Sequence, residues 1–205
     1  MAKKSLLAAA VAAGLLAAVV ATRPGEHKVV RSVTVFAPAA VAYGHVASFQ
    51  RWAPWSPWGS LDPRKVEYGG PTAGLGATYR WYGNERLDEG LMRIISARAP
   101  AELVISVVSE KRLGDDSTVT FAFAPDGAGT RVSLELSEKR GFIGKARHLF
   151  DGSDMDRIVG PDFEGGLAAL KGIAECEAWE ANTGGTVSDA VPQGALSAVV
   201  DHPAR

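Results

Sequence analysis

Asn84 and Glu89 are the side chains whose types and positions suit proton transfer: an amide in a turn, then a carboxylate opening the next strand. Buried beside an aromatic loop, Glu89 would have its charged form disfavoured, and its pKa would rise towards the range of a general acid or base. The simpler alternative is a surface one, in which Asn84 fills a turn position and Glu89 pairs with Arg86 or Arg93. Other reactive types are sparse. His27, His45, His148 and His202 are scattered without metal-ligand spacing. His45 falls on a predicted helix, facing either a cavity mouth or solvent. Cys176 is the only cysteine, so no intrachain disulfide can form, and without a neighbouring base it reads as a small helix residue. No phosphate-binding loop, dinucleotide-type glycine pattern, metal cluster or nucleophile elbow is present. The sequence therefore implies no cofactor, no metal and no nameable catalytic residue.

The aromatic residues carry a stronger signal. Trp52, Trp55 and Trp58 recur at every third position, with Pro54 and Pro57 between them. Fixed proline φ keeps this stretch out of a regular helix and predicts a stiff, extended loop. Indole rings are costly to leave in water, and each carries one N–H that needs a partner. Such a loop must cover either a core or a pocket. Trp55, Trp58, Tyr79, Trp81, Phe121 and Phe123 are the candidate ligand-binding aromatics, with Asn84 and Glu89 as polar members; each aromatic either lines a pocket or fills a dry core.

The elements that must position them follow from periodicity. Val29 to Phe36 reads as a strand, and 39–49 as a helix with Val41, Val46 and Phe49 on one face. Further strands are predicted at 78–81, 91–97 and 103–108. Two more alternate cleanly: Val119, Phe121 and Phe123 oppose Thr118 and Thr120, and Val132, Leu134 and Leu136 oppose Arg131, Ser133 and Glu135. Such alternation suits an antiparallel sheet with one buried face. The glycines of 69–76 lie between strands and read as a hairpin connection. From Phe142 the period becomes helical, with Ile143, Leu149 and Phe150 in a first piece. Gly160-Pro161 is expected to interrupt it. A second helix then runs towards Glu180, with Phe163, Leu167, Leu170 and Ile173/Ala174 as its apolar stripe and Glu164 on the opposite side.

The termini differ in kind. Lys3 and Lys4 precede an uncharged run from Ser5 to Thr22, rich in Ala, Leu and Val. It reads as a single-pass N-terminal hydrophobic helix anchoring an extracytoplasmic domain, with a cleaved signal and a secreted or periplasmic product as the alternative. Residues 182–205 have no apolar periodicity and read as a tail. The expected organisation is an anchor or signal segment at 1–25, a folded domain at 26–180 and a tail at 181–205. With 22 basic and 23 acidic residues and no basic stripe, nothing points to nucleic acid. No protein partner can be read.

Strand, helix, several strands and a long helix form an α+β arrangement. A curved antiparallel sheet wraps around the C-terminal helix, leaving a gap for a ligand. This order resembles the START-like (SRPBCC) superfamily with its helix-grip fold, in particular bacterial members grouped with polyketide cyclases/dehydrases and lipid-transport proteins. The resemblance rests on Trp52-Ala-Pro-Trp55-Ser-Pro-Trp58, Trp81-Tyr-Gly-Asn84, Glu89-Gly90, Gly129-Thr130-Arg-Val132 and the 162–171 segment Asp-Phe-Glu-Gly-Gly-Leu-Ala-Ala-Leu-Lys, and it covers about 28–178. Pro161, just ahead of that segment, departs from the family pattern. The resemblance implies a cavity for a hydrophobic small molecule, lipid or polyketide-like, and supplies no shared catalytic residue. Two other functions stay open: a cyclase or dehydratase, which needs at least two inward polar residues in the cavity, and an interaction module, which needs the tryptophans splayed outward.

Overall fold

The computed structural model describes residues 11, 14–22, 25–56, 65–83, 89–109, 115–141, 145 and 155–184; Trp58, Asn84 and the helical spacing at 142–150, residue 145 apart, lie outside these. A helical segment, α1 (14–22), precedes the domain. Then come β1 (Glu26–Val35), α2 (Ala39–Val46), a 3-10 turn (Phe49–Arg51), β2 (Lys65–Gly69), β3 (Thr78–Tyr82), β4 (Gly90–Arg98), β5 (Glu102–Ser109), β6 (Asp115–Asp126), β7 (Gly129–Arg140) and α3 (Met155–Thr183). The strands form one antiparallel seven-stranded sheet in the order β1-β7-β6-β5-β4-β3-β2. A register shift between Ile94 and Ser96 adds a residue to β4, a device that bends a sheet. This is the α+β helix-grip arrangement: a curved sheet folded around the long C-terminal helix.

Alternation decides the two faces. Val119, Phe121 and Phe123 on β6 and Val132 and Leu134 on β7 are buried, as their spacing predicts. The strand β2 escapes sequence reading because it is short, largely exposed and charged at Lys65 and Glu67, a composition suited to a sheet edge. The glycines at 69–76 do form the β2–β3 connection, where Gly70, Gly74 and Gly76 adopt positive φ.

The long helix corrects one expectation. It runs unbroken from Met155 through Pro161 to Thr183. Pro161 removes one helix hydrogen bond, but the buried stripe of Phe163, Leu167 and Leu170 packs the helix onto the sheet just beyond it, and ion pairs flank it on both sides. Arg31 of β1 donates to both carboxylate oxygens of Asp156 at 2.9 and 3.1 Å and, through Nε, to Glu164 Oε1 at 2.7 Å. Glu164 is exposed, as its place opposite the stripe predicts, and is engaged by Arg31. Gly160 makes room for this clasp: a Cβ there would lie 2.4 Å from an Arg31 guanidinium nitrogen. The predicted apolar stripe is correct, with Phe163, Leu167, Leu170 and Ala174 all buried. Near the other end, Lys171 donates to Thr34 O at 2.8 Å and pairs with Glu175, which accepts the Phe36 N–H at 2.7 Å. The helix is therefore fastened along β1, and it also packs on α2. There His45 is buried, with Nε2 2.8 Å from Glu177 Oε2, so it faces neither a cavity mouth nor solvent.

Among the described residues no helix is long and apolar enough to cross a membrane. In α1, Leu15, Leu16 and Val19 are exposed while Val20 is buried.

Candidate functional site

The tryptophan segment turns back on itself instead of extending. Trp55 N and Ser56 N both donate to Trp52 O, at 3.1 and 2.8 Å. The fixed φ of Pro54 serves this turn as readily as an extended run. The turn brings the indoles of Trp52 and Trp55 to 5.2 Å, and both rings stand on Phe121, at 6.3 and 6.0 Å. Trp52 Nε1 donates to Val46 O at 2.9 Å. Trp55 Nε1 is buried and has no hydrogen-bond partner among the described residues. An indole N–H withdrawn from water without an acceptor costs stability, and an incoming oxygen would relieve that cost.

From this buried centre the aromatic surface runs outward along β3. Phe49 meets Tyr79 at 5.9 Å, and Tyr79 meets Trp81 at 6.2 Å. Tyr79 and Trp81 are only partly buried against the core, and Tyr68 beyond them is exposed. Burial raises the Tyr79 phenol above its ordinary value, so it stays a neutral hydroxyl. Trp81 owes its position to Gly90, its cross-strand partner. A Cβ on Gly90 would sit 2.2 Å from Trp81 Cζ2 and 2.6 Å from Val108 O, so only glycine lets the indole lie there.

The predicted site residues thus fall into three groups. Trp55, Phe121 and Phe123 are buried, Phe123 against Tyr43 at 5.5 Å. Tyr79 and Trp81 form a partly exposed wall. Glu89 is exposed at the start of β4, apart from the buried cluster. Trp58 and Asn84 lie outside the described residues, so their place in the site is not part of this geometry.

Two polar residues were missed. Glu138 is 3% exposed and Ser117 8%. Their register places them directly opposite one another, with His27 of β1 opposite Glu138. All three fall on the face that carries Val29, Leu136 and Val119, because residues two apart share a face. The sequence held the signal: the alternation 132–134–136 reaches 138 in one more step, and 123–121–119 reaches 117. Continued across the sheet, the row passes Val107 and Met92 to Tyr79. One row therefore leads from a buried carboxylate, over an apolar floor, to an aromatic wall.

A separate cleft of about 70 Å³ lies between Phe49, Gln50, Tyr68, Pro71 and Thr78. It is far smaller than the roughly 300–1,000 Å³ of sites that enclose a drug-sized ligand. Among the described residues no cluster of His, Cys, Asp or Glu is placed to hold a metal ion.

A family model described as polyketide cyclase / dehydrase and lipid transport matches residues 26–175. No curated protein sequence matches the chain. Solved structures share its fold at low identity. Ginseng major latex-like protein 151 from Panax ginseng is 9% identical, with a TM-score of 0.55 over 74% of this chain and 99% of that one. Truncated norcoclaurine synthase from Thalictrum flavum is 12% identical, with a TM-score of 0.52 over 72% and 92%. A putative uncharacterized protein from Rhizobium leguminosarum is 17% identical, with a TM-score of 0.52 over 73% and 95%.

Proposed function

The chain belongs to the polyketide cyclase/dehydrase and lipid transport family, and from that premise we propose that it is a carrier or sensor of a hydrophobic small molecule, lipid or polyketide-like. The ligand lies on the concave face of the sheet, between α3 and the β3 side. The observation that carries this reading is the Tyr79–Trp81 wall, partly exposed and continuous with the buried Trp52–Trp55–Phe121 stack. A dry core would close over such rings. Here α3 packs chiefly on β1, and the Trp52–Trp55 pair stands on Phe121 of β6.

The test uses an environment-sensitive apolar dye, expected to bind at about one per chain. Trp81→Ala should weaken the dye on the order of tenfold, the loss of a ring contact worth roughly 1.4 kcal/mol, while unfolding changes less. Phe163→Ala, which truncates a fully buried side chain, should do the reverse. A chain that binds no apolar ligand and unfolds on Trp81→Ala would show the aromatics to be core. A catalytic reading, cyclase or dehydratase, has one observation in its favour, the adjacent Glu138 and Ser117 on the concave face.

We further propose that residues 1–25 tether the domain at a membrane or direct its export, leaving 26–180 as the binding domain outside the cytoplasm. Lys3, Lys4 and the apolar run after them support this. Fractionation of cells expressing the full chain and a chain lacking 1–25 tests it. Equal recovery of both in the cytosol would refute it.

A further inference from the structure

We propose that the indole N–H of Trp55 is the polar contact of the ligand site and selects an apolar molecule carrying a neutral carbonyl oxygen. The inference rests on the ligand-binding reading above and adds the chemistry of the ligand's acceptor. Two indoles of one turn are buried almost equally, Trp52 at 4% exposure and Trp55 at 3%. Trp52 Nε1 is satisfied by Val46 O, at the C-terminal end of α2. Trp55 Nε1, withdrawn from water to the same degree, has no hydrogen-bond partner among the described residues. The carbonyl that closes the turn, Trp52 O, already accepts from Trp55 N and Ser56 N. The rings of Trp52 and Phe121 that pack on Trp55 offer no oxygen. A hydrocarbon ring would meet the same rings without leaving a buried donor unmet.

The place of this donor fits a ligand lying on the aromatic wall. Phe121, on which Trp55 stands, shares its face of β6 with Val119. The register carries Val119 through Ile105 to Ile94, and Ile94 shares its face with Met92, the partner of Tyr79. Trp55 and the wall therefore belong to one face of the sheet. Phe49 joins them, 4.8 Å from Trp52 and 5.9 Å from Tyr79. An apolar body along Tyr79 and Trp81 would direct its inner end towards Trp55. An indole N–H only donates, so it distinguishes a ligand with an acceptor oxygen from a hydrocarbon. A hydroxyl also accepts, but it brings a proton that needs a partner of its own. A carboxylate would carry a whole charge into a cluster of rings, a desolvation that one neutral hydrogen bond does not offset. A ketone or ester carbonyl brings the acceptor without charge.

The experiment uses the full chain with 15N-labelled tryptophan, whose five indole N–H groups report separately in nuclear magnetic resonance. The Trp55 signal is assigned through its own backbone. The probes are 2-tridecanone and 2-methyl-1-tridecene, which differ in whether oxygen or a CH2 group ends the same double bond. The ketone should move the Trp55 indole proton downfield, and the alkene should not. Both probes also displace the bound dye. Trp55→Phe should lower the affinity for the ketone relative to the alkene on the order of tenfold. Trp52→Phe, which removes an N–H already in use, should leave that ratio unchanged. A Trp55 signal that stays in place while the ketone displaces the dye would overturn the inference and leave the ligand-binding reading standing. So would a ratio that Trp55→Phe does not alter, or a water held on the Trp55 N–H that persists with the ketone bound. The signal is read on the unaltered chain, so it decides even where Trp55→Phe fails to fold. Failure of the dye and both probes to bind would remove the ligand-binding reading and the inference with it.

Discussion

Gly90→Ala is the sharpest single test of the aromatic wall. The added methyl would stand 2.2 and 2.4 Å from Trp81 Cζ2 and Cη2, where ordinary contact begins near 3.4 Å, so the indole must retreat by about 1 Å. It would also stand 2.6 Å from Val108 O, and Val108 is held in the β4–β5 ladder opposite Leu91. That carbonyl cannot withdraw without loosening the pairing. Overpacking of this kind costs about 1–3 kcal/mol, and replacing glycine returns about 0.4–1 kcal/mol through the unfolded chain. A net loss of about 1–2 kcal/mol is expected, or roughly 2–8 °C in melting temperature for a chain of this size. Thermal and urea unfolding measure it. The cause is isolated by a double-mutant cycle with Trp81→Ala. Removing the ring should relieve most of the clash, giving a coupling of about 1 kcal/mol between the two sites. If Gly90→Ala leaves stability unchanged, or its cost is the same with and without Trp81, the indole does not rest on Gly90 and the wall is misplaced.

Leu167→Ala should cost about 2–5 kcal/mol in urea unfolding, since its side chain is 3% exposed beneath α3. Ala168→Gly, on the exposed side of that helix, should cost about 1 kcal/mol, a propensity loss only. The Arg31 hydrogen bonds hold the Asp156 carboxyl below its ordinary 3.8, and the Thr34 hydroxyl and then Arg131 do the same for Asp126. A carboxylate with a lowered folded pKa contributes stability that is fully present above its unfolded pKa and lost as pH falls through the folded one. The acid limb should therefore steepen below about pH 3.8, and Asp156→Asn should flatten it; an unchanged limb would mean that Arg31 does not clasp α3. A chain shortened to 25–184 should melt within a few degrees of the full chain, because the stripe of α3 and the sheet lie within it; loss of cooperative unfolding would place part of the core in the removed ends.

The sequence legible at one level was opaque at another, and the division is physical. Local period was readable: 119–121–123, 132–134 and 163–167–170–174 each name a buried face, and the structure buries it, with Leu136 partly buried at the end of its run. What depends on a partner far along the chain was not. Pro161 looks like a helix break because proline's local effect is adverse. What outweighs it is long-range: the packing of α3 in the core, with the clasp of Arg31, 125 residues away from Asp156. Glu164 lies on the exposed side as its spacing indicates, but its partner on β1 is equally distant in sequence. His45, judged from its helix alone, has a partner on α3 that only the packed structure supplies.

The candidate site divides along the same line. Aromatic content located it, because tryptophan must cover something, but composition cannot distinguish a ring in a wall from a ring in a core. That distinction is made by backbone. The turn after Trp52 folds Trp55 onto Phe121, whereas Gly90 seats Trp81 at the outer margin. Asn84 and Glu89 are polar residues near an aromatic loop along the chain. The buried carboxylate lies elsewhere, at Glu138, where an apolar alternation is interrupted on its own face. A polar residue that breaks the period of a buried strand must be satisfied by its surroundings, whereas one in a turn has water.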